Sequence, residues 1–427
     1  MELIIIITFF ATMIIGIPIV FVIGLTVVTY LHITGLPFEL LVQRMFVGVD
    51  KFVLMAVPFF MLAGNIMNAG GLTKRLIRFS NVLIGNIRGG LAYVNVLASM
   101  IFAGITGSAT ADTSSIGSIL IPAMKKEGYD VGFSAAITAA SSTIGGIIPP
   151  SIPFVIYAVT AGNVSVAGLF MGGIIPGVMI GLTQMLVIRF FYKEKCPHPG
   201  KIERISFKNI PKEIRDAILA LIMPLIIIGG ILSGIFTPTE ASAIACVYAL
   251  LISLFVYKEI TVADLPKIIL NSGLTTGACF LIVAVAAPFG WILAAEMIPL
   301  KIMNLILSIT NNPNIILLLI ILVLLFLGTF METIAAIIVI TPVLLPLAQQ
   351  MGLNPIHFGL IVSLGIYIGL TTPPVGICLY IASNIAEISL ETITKSILPF
   401  IITSIVVLLL ITYIPQIVLW IPGLLGY

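Results

Sequence analysis

Long stretches without a charged residue constrain the fold of this chain more than any other feature. Crossing the hydrocarbon core of a bilayer takes about 20 apolar residues in a helix. Only 9% of the 427 residues are charged, against about 25% in soluble domains, so the chain cannot coat a water-soluble surface. It is predicted to be an all-α polytopic membrane protein. The clearest charge-free runs are Ile14 to Tyr30, Ala217 to Phe236 and Ser396 to Trp420.

The N-terminal segment lacks the basic start and the small-residue cleavage site of a signal peptide. Its apolar residues continue without a charge from Leu3 to about Tyr30. We therefore expect the first membrane helix to run through this segment.

Several classes of catalytic protein are disfavoured by the motifs. No CxxC pair, no HExxH sequence and no phosphate-binding GxxxxGK[ST] loop occurs, so neither a metal centre nor ATP hydrolysis by this chain is expected. We predict that it is not an enzyme, and that any uphill transport takes its energy from an ion gradient or another subunit. The cysteines, predicted to be small core residues, and the scattered histidines are Cys196, Cys246, Cys279 and Cys378, and His32, His198 and His357.

An internal repeat divides the chain into halves of about 1–200 and 201–427. Residues 104–158 resemble residues 328–382 at a constant offset of 224 with no gap. Glycines and prolines at fixed spacing carry the match, so general apolarity does not explain it. The matched pairs are Gly104 and Gly328, Pro122 and Pro346, Gly128 and Gly352, Gly145 and Gly369, Pro149-Pro150 and Pro373-Pro374, and Ala158 and Ala382.

Each half contains a predicted re-entrant hairpin, at about 91–124 and 313–348. In each, two apolar arms of about 15 residues flank a polar tip, at 106–110 and 329–333. Arms of that length would not cross about 30 Å of hydrocarbon comfortably. The pattern therefore indicates hairpins that enter and leave on the same side.

A broken helix follows each hairpin, at about 131–160 and 355–385. The segments GGIIPP (145–150) and GLTTPP (369–374) interrupt them. A proline pair removes two backbone donors and disfavours helix at the preceding residue. Unwound backbone at membrane depth persists only where it is buried in protein or lines a polar cavity.

The two halves are predicted to have opposite orientations in the membrane. Five crossings are expected between the hairpins, at about 131–160, 168–192, 216–236, 241–257 and 268–294. An odd number makes the second hairpin enter from the other side, as in the inverted repeats of secondary transporters. The positive-inside rule places the basic side in the cytoplasm, so the first hairpin enters from there. That side is marked by Lys193, Lys195, Lys201, Arg204, Lys208, Lys212 and Arg215, and by Lys74, Arg75, Arg78, Arg88, Lys125 and Lys126.

The tips and breaks concentrate polar side chains in an otherwise apolar chain. Hydroxyls and freed carbonyls are hard oxygen donors that suit Na+. The half-helix N-termini after each break offer N–H groups to a carboxylate. A single Ser or Thr could equally bond back to its own helix, but the matched set predicts an ion and substrate site. It comprises Ser108, Thr110, Asp112, Ser114 and Ser115, and Thr329, Glu332, Thr333, Thr371 and Thr372.

Asp112 and Glu332 are the most informative single residues, because carboxylates at membrane depth are costly and normally functional. A helix N-cap is the alternative role for Asp112, whereas Glu332 at the second tip is expected to contact ion or substrate. No Lys or Arg lies between Arg88 and Lys125 or between Lys301 and Lys395. An anionic substrate would therefore be balanced by co-bound cations and helix dipoles.

The motifs resemble the large membrane subunit of tripartite ATP-independent periplasmic (TRAP) transporters over essentially the whole chain. This resemblance implies an elevator-type, ion-transporter-like fold in the bacterial inner membrane. It also implies Na+-driven import of a small organic acid, with a small membrane (Q-type) subunit and a periplasmic substrate-binding protein as partners, and no nucleic acid. The segments that carry it are AVPFFMLAGNIMNAGG (56–71), RGGLAYVNVLASMIFAGITGSATADTSSIGSILIPAM (88–124), GIFTPTEASA (234–243), METIAAIIVITPVLLP (331–346) and GLTTPPVG (369–376).

The resemblance also implies site residues. The Na+ sites of the family carry over onto Gly104, Ser108, Gly145, Gly146 and Pro149, and onto Gly328, Met331, Thr333, Thr371 and Thr372. Substrate contacts are expected at Thr110, Asp112, Ser114, Ser151, Glu332, Val375 and Gly376.

Two alternatives remain open at this level. The chain could be a stand-alone Na+-coupled carboxylate symporter that needs no binding protein, since inverted hairpins occur there too. The substrate could be a C4-dicarboxylate, sialic acid, a keto acid or another carboxylate. A channel or intramembrane enzyme is disfavoured by the doubled site and the lack of a catalytic constellation.

Overall fold

The computed structural model describes residues 2–162, 164–192, 196 and 210–427, which form twenty α-helices and no β-strand. Seven described helices are long and apolar enough to cross a membrane, so the all-α polytopic prediction is confirmed. The predicted basic loop lies largely outside the described residues. The first ten helices are α1 (Glu2–Ile14), α2 (Ile19–Thr34), α3 (Glu39–Val49), α4 (Ala56–Ala69), α5 (Leu72–Ile84), α6 (Gly90–Thr106), α7 (Ala109–Lys126), α8 (Val131–Ser142), α9 (Ile152–Ala161) and α10 (Val166–Phe191).

The remaining ten helices follow the basic loop. They are α11 (Ile210–Leu232), α12 (Pro238–Leu251), α13 (Leu265–Ala295), α14 (Ile298–Ile309), α15 (Pro313–Phe330), α16 (Thr333–Gln350), α17 (Pro355–Gly369), α18 (Ile377–Ala386), α19 (Leu390–Tyr413) and α20 (Pro415–Leu424).

The prediction of a single membrane helix at the N-terminus is wrong. The segment forms two short helices, α1 and α2, which pack against each other. Gly16 between them has a φ of 88°, which favours glycine, and Pro18 lacks the N–H that a continuous helix would need. Both helices contribute to one buried apolar cluster, which includes Ile5 and Val27.

The repeat reappears in the helix boundaries. Ala109 and Thr333 begin the second hairpin arms, and Val166 and Leu390 begin long helices, each pair separated by 224 residues. Both broken helices are interrupted at a proline pair. Helices α8 and α17 end before it, and α9 and α18 begin after it. The opposite membrane orientation of the halves stays a prediction.

The hairpin arms are longer than expected. They contain 17, 18, 18 and 18 residues, and 18 residues span about 27 Å as an α-helix. The estimate of about 15 residues was short for the second arms because α7 and α16 continue through their polar outer ends, to Lys126 and Gln350. By length and composition alone, α15 and α16 could each span a membrane.

Two groups of helices pack around the centre of the molecule. All residues of α8 except Val131 and all of α17 except Pro355 are buried, and α6, α7, α10, α15, α16, α18 and α19 surround them. We call α6–α9 and α15–α18 the hairpin group. Helices α2, α3 and α4 pack against the 31-residue helix α13, and α12 packs against α4. We call these five helices the outer group.

A glycine pair sets the spacing inside the hairpin group. A Cβ atom at Gly328 in α15 would lie 2.9 Å from the Cα of Gly369 in α17 and 3.0 Å from the Cα of Ile366. Backbone atoms cannot move aside as a flexible side chain can. Only glycine therefore allows α15 and α17 to approach this closely.

Candidate functional site

Both hairpin tips and both broken helices meet around one cavity of about 280 Å³, which we call the central cavity. The first half contributes Ser108 and Thr110 from its tip and Pro153 from the start of α9. The second half contributes Glu332 from its tip and Tyr367 from α17. Helices α4 and α13 of the outer group close the opposite wall. The fold thus brings together two tips that are far apart in the sequence.

The first tip is a tight turn between α6 and α7. Gly107 has a φ of 61°, and a Cβ atom there would lie 2.8 Å from the carbonyl oxygen of Pro150. Ser108 is the N-cap of α7 and accepts a long hydrogen bond of 3.5 Å from the Ala111 N–H. Its hydroxyl also lies 3.1 Å from that of Thr110. The tip therefore presents two hydroxyls to the cavity and packs its backbone on the first helix break.

Asp112 lies behind the first tip and does not line the central cavity. It is fully buried, and the Thr106 hydroxyl donates a hydrogen bond to its Oδ1. Its Oδ2 has no hydrogen-bond partner among the described residues and lies directly against Gly145, where a Cβ atom would overlap it. The alternative that Asp112 caps α7 is wrong, because Ser108 has that position.

The first helix break is held by one serine. The Ser151 hydroxyl donates a 2.6 Å hydrogen bond to the carbonyl oxygen of Gly146 and accepts one of 3.4 Å from the Phe154 N–H. It is the N-cap of α9 and is fully buried. A Cβ atom at Gly146 would overlap the hydroxyl of Tyr367 from the other half. The two halves therefore interlock at this break.

Glu332 lies at the second tip and is the N-cap of α16. Its Oε2 accepts hydrogen bonds from the N–H groups of Ile334 (2.8 Å) and Ala335 (3.3 Å), at the N-terminus of α16. The residue is nevertheless exposed to the central cavity. It therefore combines an N-cap with a position that can contact a bound ion or substrate.

The second break is tied to the second tip through the backbone. The Gly376 N–H donates a 2.8 Å hydrogen bond to the carbonyl oxygen of Thr329. The hydroxyls of Thr371 and Thr372 donate back to the carbonyl oxygen of Ile368, at 2.9 and 2.8 Å. Both threonines thus bond back to their own helix, which was the alternative to a binding role for any single Ser or Thr. Their hydroxyl oxygens can still accept a hydrogen bond or bind a cation.

The predicted site residues divide into two sets. Those that line the central cavity are Ser108, Thr110, Glu332 and Thr333. Those that do not line it are Gly104, Asp112, Ser114, Gly145, Gly146, Pro149, Ser151, Gly328, Met331, Thr371, Thr372, Val375 and Gly376. Most of the second set form the packed layer behind the tips, where the unpaired Asp112 oxygen also lies.

Sequence reasoning missed several residues of the cavity wall. Tyr367 is a buried aromatic residue of α17, and Met61, Thr275 and Cys279 come from the outer group. A tyrosine shortly before the GLTTPP break is the one sequence signal that could have drawn attention to this position. The outer-group residues have no comparable signal, because only packing brings them to the tips.

A second cavity of about 340 Å³, the amide cavity, adjoins the central one and shares Ser108, Thr110 and Thr275 with it. Asn65 and Asn68 of α4 line it. The Asn65 amide donates a 2.8 Å hydrogen bond to the Ser272 hydroxyl, which fixes the side chain between α4 and α13. By the predicted topology, this cavity lies on the cytoplasmic side of the tips.

Comparison with known protein families gives a match over nearly the whole chain. Residues 6–417 match the sequence model of the tripartite ATP-independent periplasmic transporter, DctM component. Over 421 residues the chain is 40% identical to the sialic acid TRAP transporter large permease protein SiaM of Vibrio cholerae, covering 98% of this chain and 97% of that protein. Over 430 residues it is 36% identical to the C4-dicarboxylate TRAP transporter large permease protein DctM of Rhodobacter capsulatus, covering 97% of each chain.

Among solved structures, the chain resembles MtrF of Neisseria gonorrhoeae, which belongs to a class of antimetabolite efflux pumps. The TM-score is 0.64, with 13% sequence identity over 89% of this chain and 83% of MtrF. A likeness at this identity concerns the fold alone.

Proposed function

The chain belongs to the DctM component family of tripartite ATP-independent periplasmic transporters, and we propose that it imports a small carboxylate in symport with Na+. The resemblance predicted from the sequence is thereby confirmed, and the chain is a multi-pass protein of the inner membrane. The substrate class follows from the relatives that are named for sialic acid and C4-dicarboxylates. The partners are proposed to be the small membrane subunit and a periplasmic substrate-binding protein.

The observation that carries the proposal is the central cavity between the two hairpin tips. Helices α7 and α16 both begin at this cavity, with Ser108 and Glu332 as their N-caps. A helix N-terminus carries the positive end of the helix dipole, which favours a carboxylate. At α16 the Glu332 carboxylate already accepts hydrogen bonds from two of the N–H groups, so the N-terminus of α7 is the better candidate for direct contact with the substrate. No Lys or Arg lines the cavity among the described residues. The N-termini and co-bound cations are therefore proposed to balance the substrate charge.

A cation beside the first tip is supported by Asp112. One of its oxygens is buried against Gly145 and has no hydrogen-bond partner in the described part of the chain, and an unpaired charge in protein is costly. A Na+ ion held by this oxygen and by carbonyl groups of the adjoining break would neutralise it. Thr371 and Thr372 occupy the corresponding break of the second half and are proposed as its counterpart.

An elevator motion is proposed for the transport step. The hairpin group contains both tips and both breaks, and it faces the outer group across the central and amide cavities. Movement of the hairpin group as one body along α4 and α13 would carry ion and substrate together. Without Na+ the carboxylate would lack a counter-charge, which would couple the two.

The test of Na+ coupling uses uptake into liposomes that contain the complete transporter. Ser108→Ala and Thr372→Ala should each raise the Na+ concentration for half-maximal uptake by about 5- to 150-fold, because a lost polar contact costs about 1–3 kcal/mol. Ser118→Ala, an exposed serine on α7 bonded to its own helix, is the control. Unchanged Na+ dependence in both variants would remove these residues from the ion sites.

The partner assignment is tested by omission. Uptake is measured with the small subunit or the binding protein left out in turn. We expect uptake to require all three components. Transport by this chain alone would identify it as a stand-alone symporter instead.

A further inference from the structure

A third cavity, of about 310 Å³, lies between α3 and α13 of the outer group and α9 and α16 of the hairpin group. We call it the basic cavity, because Arg44 and Lys51 are among its lining residues. Neither side chain forms an ion pair within the part of the chain that the structure describes. The acidic residues Glu39, Asp50, Glu296 and Glu332, which lie on or next to these helices, do not line it.

The basic cavity continues the line of the other two cavities. Along α13, Thr275 lines the amide and central cavities, Ile282 lines the central cavity, and Val283 lines the basic cavity. Along α16, Ile334 lines the central cavity and Ile338, one turn later, lines the basic cavity. The three cavities thus follow one another along one groove between α13 and the hairpin group. Apolar side chains separate the central cavity from the basic cavity.

The two cations are unusual for their side of the membrane. By the predicted topology, the open end of the α15–α16 hairpin faces the periplasm, and the basic cavity lies toward that end. Membrane proteins concentrate Lys and Arg on the cytoplasmic side. Among the described residues, Arg44, Lys51 and Lys301 are the Lys and Arg residues that lie toward the side the predicted topology makes periplasmic; Arg44 and Lys51 are assigned to it because α3 packs on α13. Two of these three line the same cavity, so their placement calls for an anionic occupant.

Arg44 is held in position by an aromatic ring. Its guanidinium carbon lies 4.8 Å from the centre of the Trp291 ring in α13, a cation–π distance. This contact holds the guanidinium beside the ring, and the N–H groups of an arginine can bind a carboxylate in a bidentate manner. Lys51, which also lines the cavity, adds a second positive charge.

We propose that the basic cavity is an outer binding site for the carboxylate of the transported substrate, with Arg44 and Lys51 as its ligands. The substrate occupies it before passing the apolar barrier at Ile282 and Ile338 into the central cavity. This inference rests on the proposed carboxylate import. It adds a site with cationic side chains on a route whose central cavity is lined by no Lys or Arg among the described residues.

The test measures the electrostatic potential of the cavity directly. Thr160→Cys places a thiol on the half-buried end of α9 in the cavity wall. Its reaction rates with an anionic reagent, sulfonatoethyl methanethiosulfonate, and a cationic one, trimethylammonioethyl methanethiosulfonate, are compared in the reconstituted complete transporter. Gln350→Cys, exposed at the end of α16 and outside the cavity, is the matched control. The parent chain, whose four cysteines are buried, gives the background.

We expect the anionic-to-cationic rate ratio at Thr160→Cys to exceed that at Gln350→Cys by about tenfold, since a charged cleft enriches its counter-ions to that degree or more. Adding Arg44→Gln and Lys51→Gln should reduce the ratio to the control value. Succinate or N-acetylneuraminate should slow labelling at Thr160→Cys, whereas the neutral succinamide should not.

Equal ratios at the two positions, no effect of the Arg44 and Lys51 substitutions, or no protection by either carboxylate would overturn the proposal. Uptake measured on the same vesicles separates failure of the outer-site proposal from failure of the transport proposal. Na+-dependent uptake with no labelling asymmetry refutes the outer site alone, whereas asymmetry and carboxylate protection without uptake refute the transport proposal alone.

Discussion

Substitution of Glu332 separates its role as a helix cap from a role in binding. The Gln side chain in Glu332→Gln retains an oxygen that can accept the N–H bonds now made from Ile334 and Ala335, but it removes the charge. The Ala side chain in Glu332→Ala removes both, and loss of an N-cap costs about 0.5–2 kcal/mol. We therefore expect Glu332→Ala to lower the thermal stability and Glu332→Gln to leave it near that of the parent.

Transport should respond differently from stability. If the carboxylate meets a cation in the central cavity, losing one charged contact costs about 1.5–3 kcal/mol, which is about a 10- to 150-fold loss of cation affinity. Uptake by Glu332→Gln at limiting Na+ should fall accordingly while the protein folds and inserts normally. The control is Glu391→Gln, which removes a carboxylate that is 80% exposed and pairs with Lys395 at 3.2 Å. Uptake by Glu332→Gln close to that of the parent would reduce Glu332 to a helix cap.

Two further predictions concern packing and topology. Gly328→Ala should lower the melting temperature by about 1–3 °C. Forcing a methyl group into backbone contact costs about 1–3 kcal/mol, and the melting temperature of a chain of this length shifts by about 1 °C per kcal/mol. Gly273→Ala, whose added Cβ would have no described atom within 4 Å, should not lower it. Thiol-reactive dye fluorescence measures this, and equal melting temperatures would contradict the close approach of α15 and α17. Cysteines introduced at Glu127 and Gln350, beyond the open ends of the two hairpins, should label from the cytoplasm and the periplasm respectively. Labelling of both from one side would refute the inverted repeat.

Much of the helix order was predictable because it depends on local chemistry. Glycines and prolines at a fixed offset located both tips and both breaks, and the structure begins α7 and α16 at positions 224 residues apart. The error at the N-terminus has the same local origin. The Gly16-Ile17-Pro18 sequence is typical of a turn, but the long apolar run around it favoured the prediction of one continuous helix.

The capping residues were not predictable at the same level. Sequence reasoning offered Asp112 as a possible cap and Glu332 as a ligand. In the structure Glu332 caps α16, whereas Asp112 is buried against Gly145, and one of its oxygens has no partner among the residues that the structure describes. Both are acidic residues near the start of a helix, and a shift of a few residues along the chain decides which backbone N–H groups each can reach.

The sequence by itself determined the membrane class, the family, the repeat and the polar segments, because composition, periodicity and Gly/Pro spacing are properties of neighbouring residues. Only the tertiary structure decided that Tyr367 reaches across the repeat to Gly146 and that α13 lines three consecutive cavities. The placement of Arg44 over Trp291 is of the same kind. These features depend on side chains that are distant in the chain and meet only through the packing of whole helices, which no local pattern encodes.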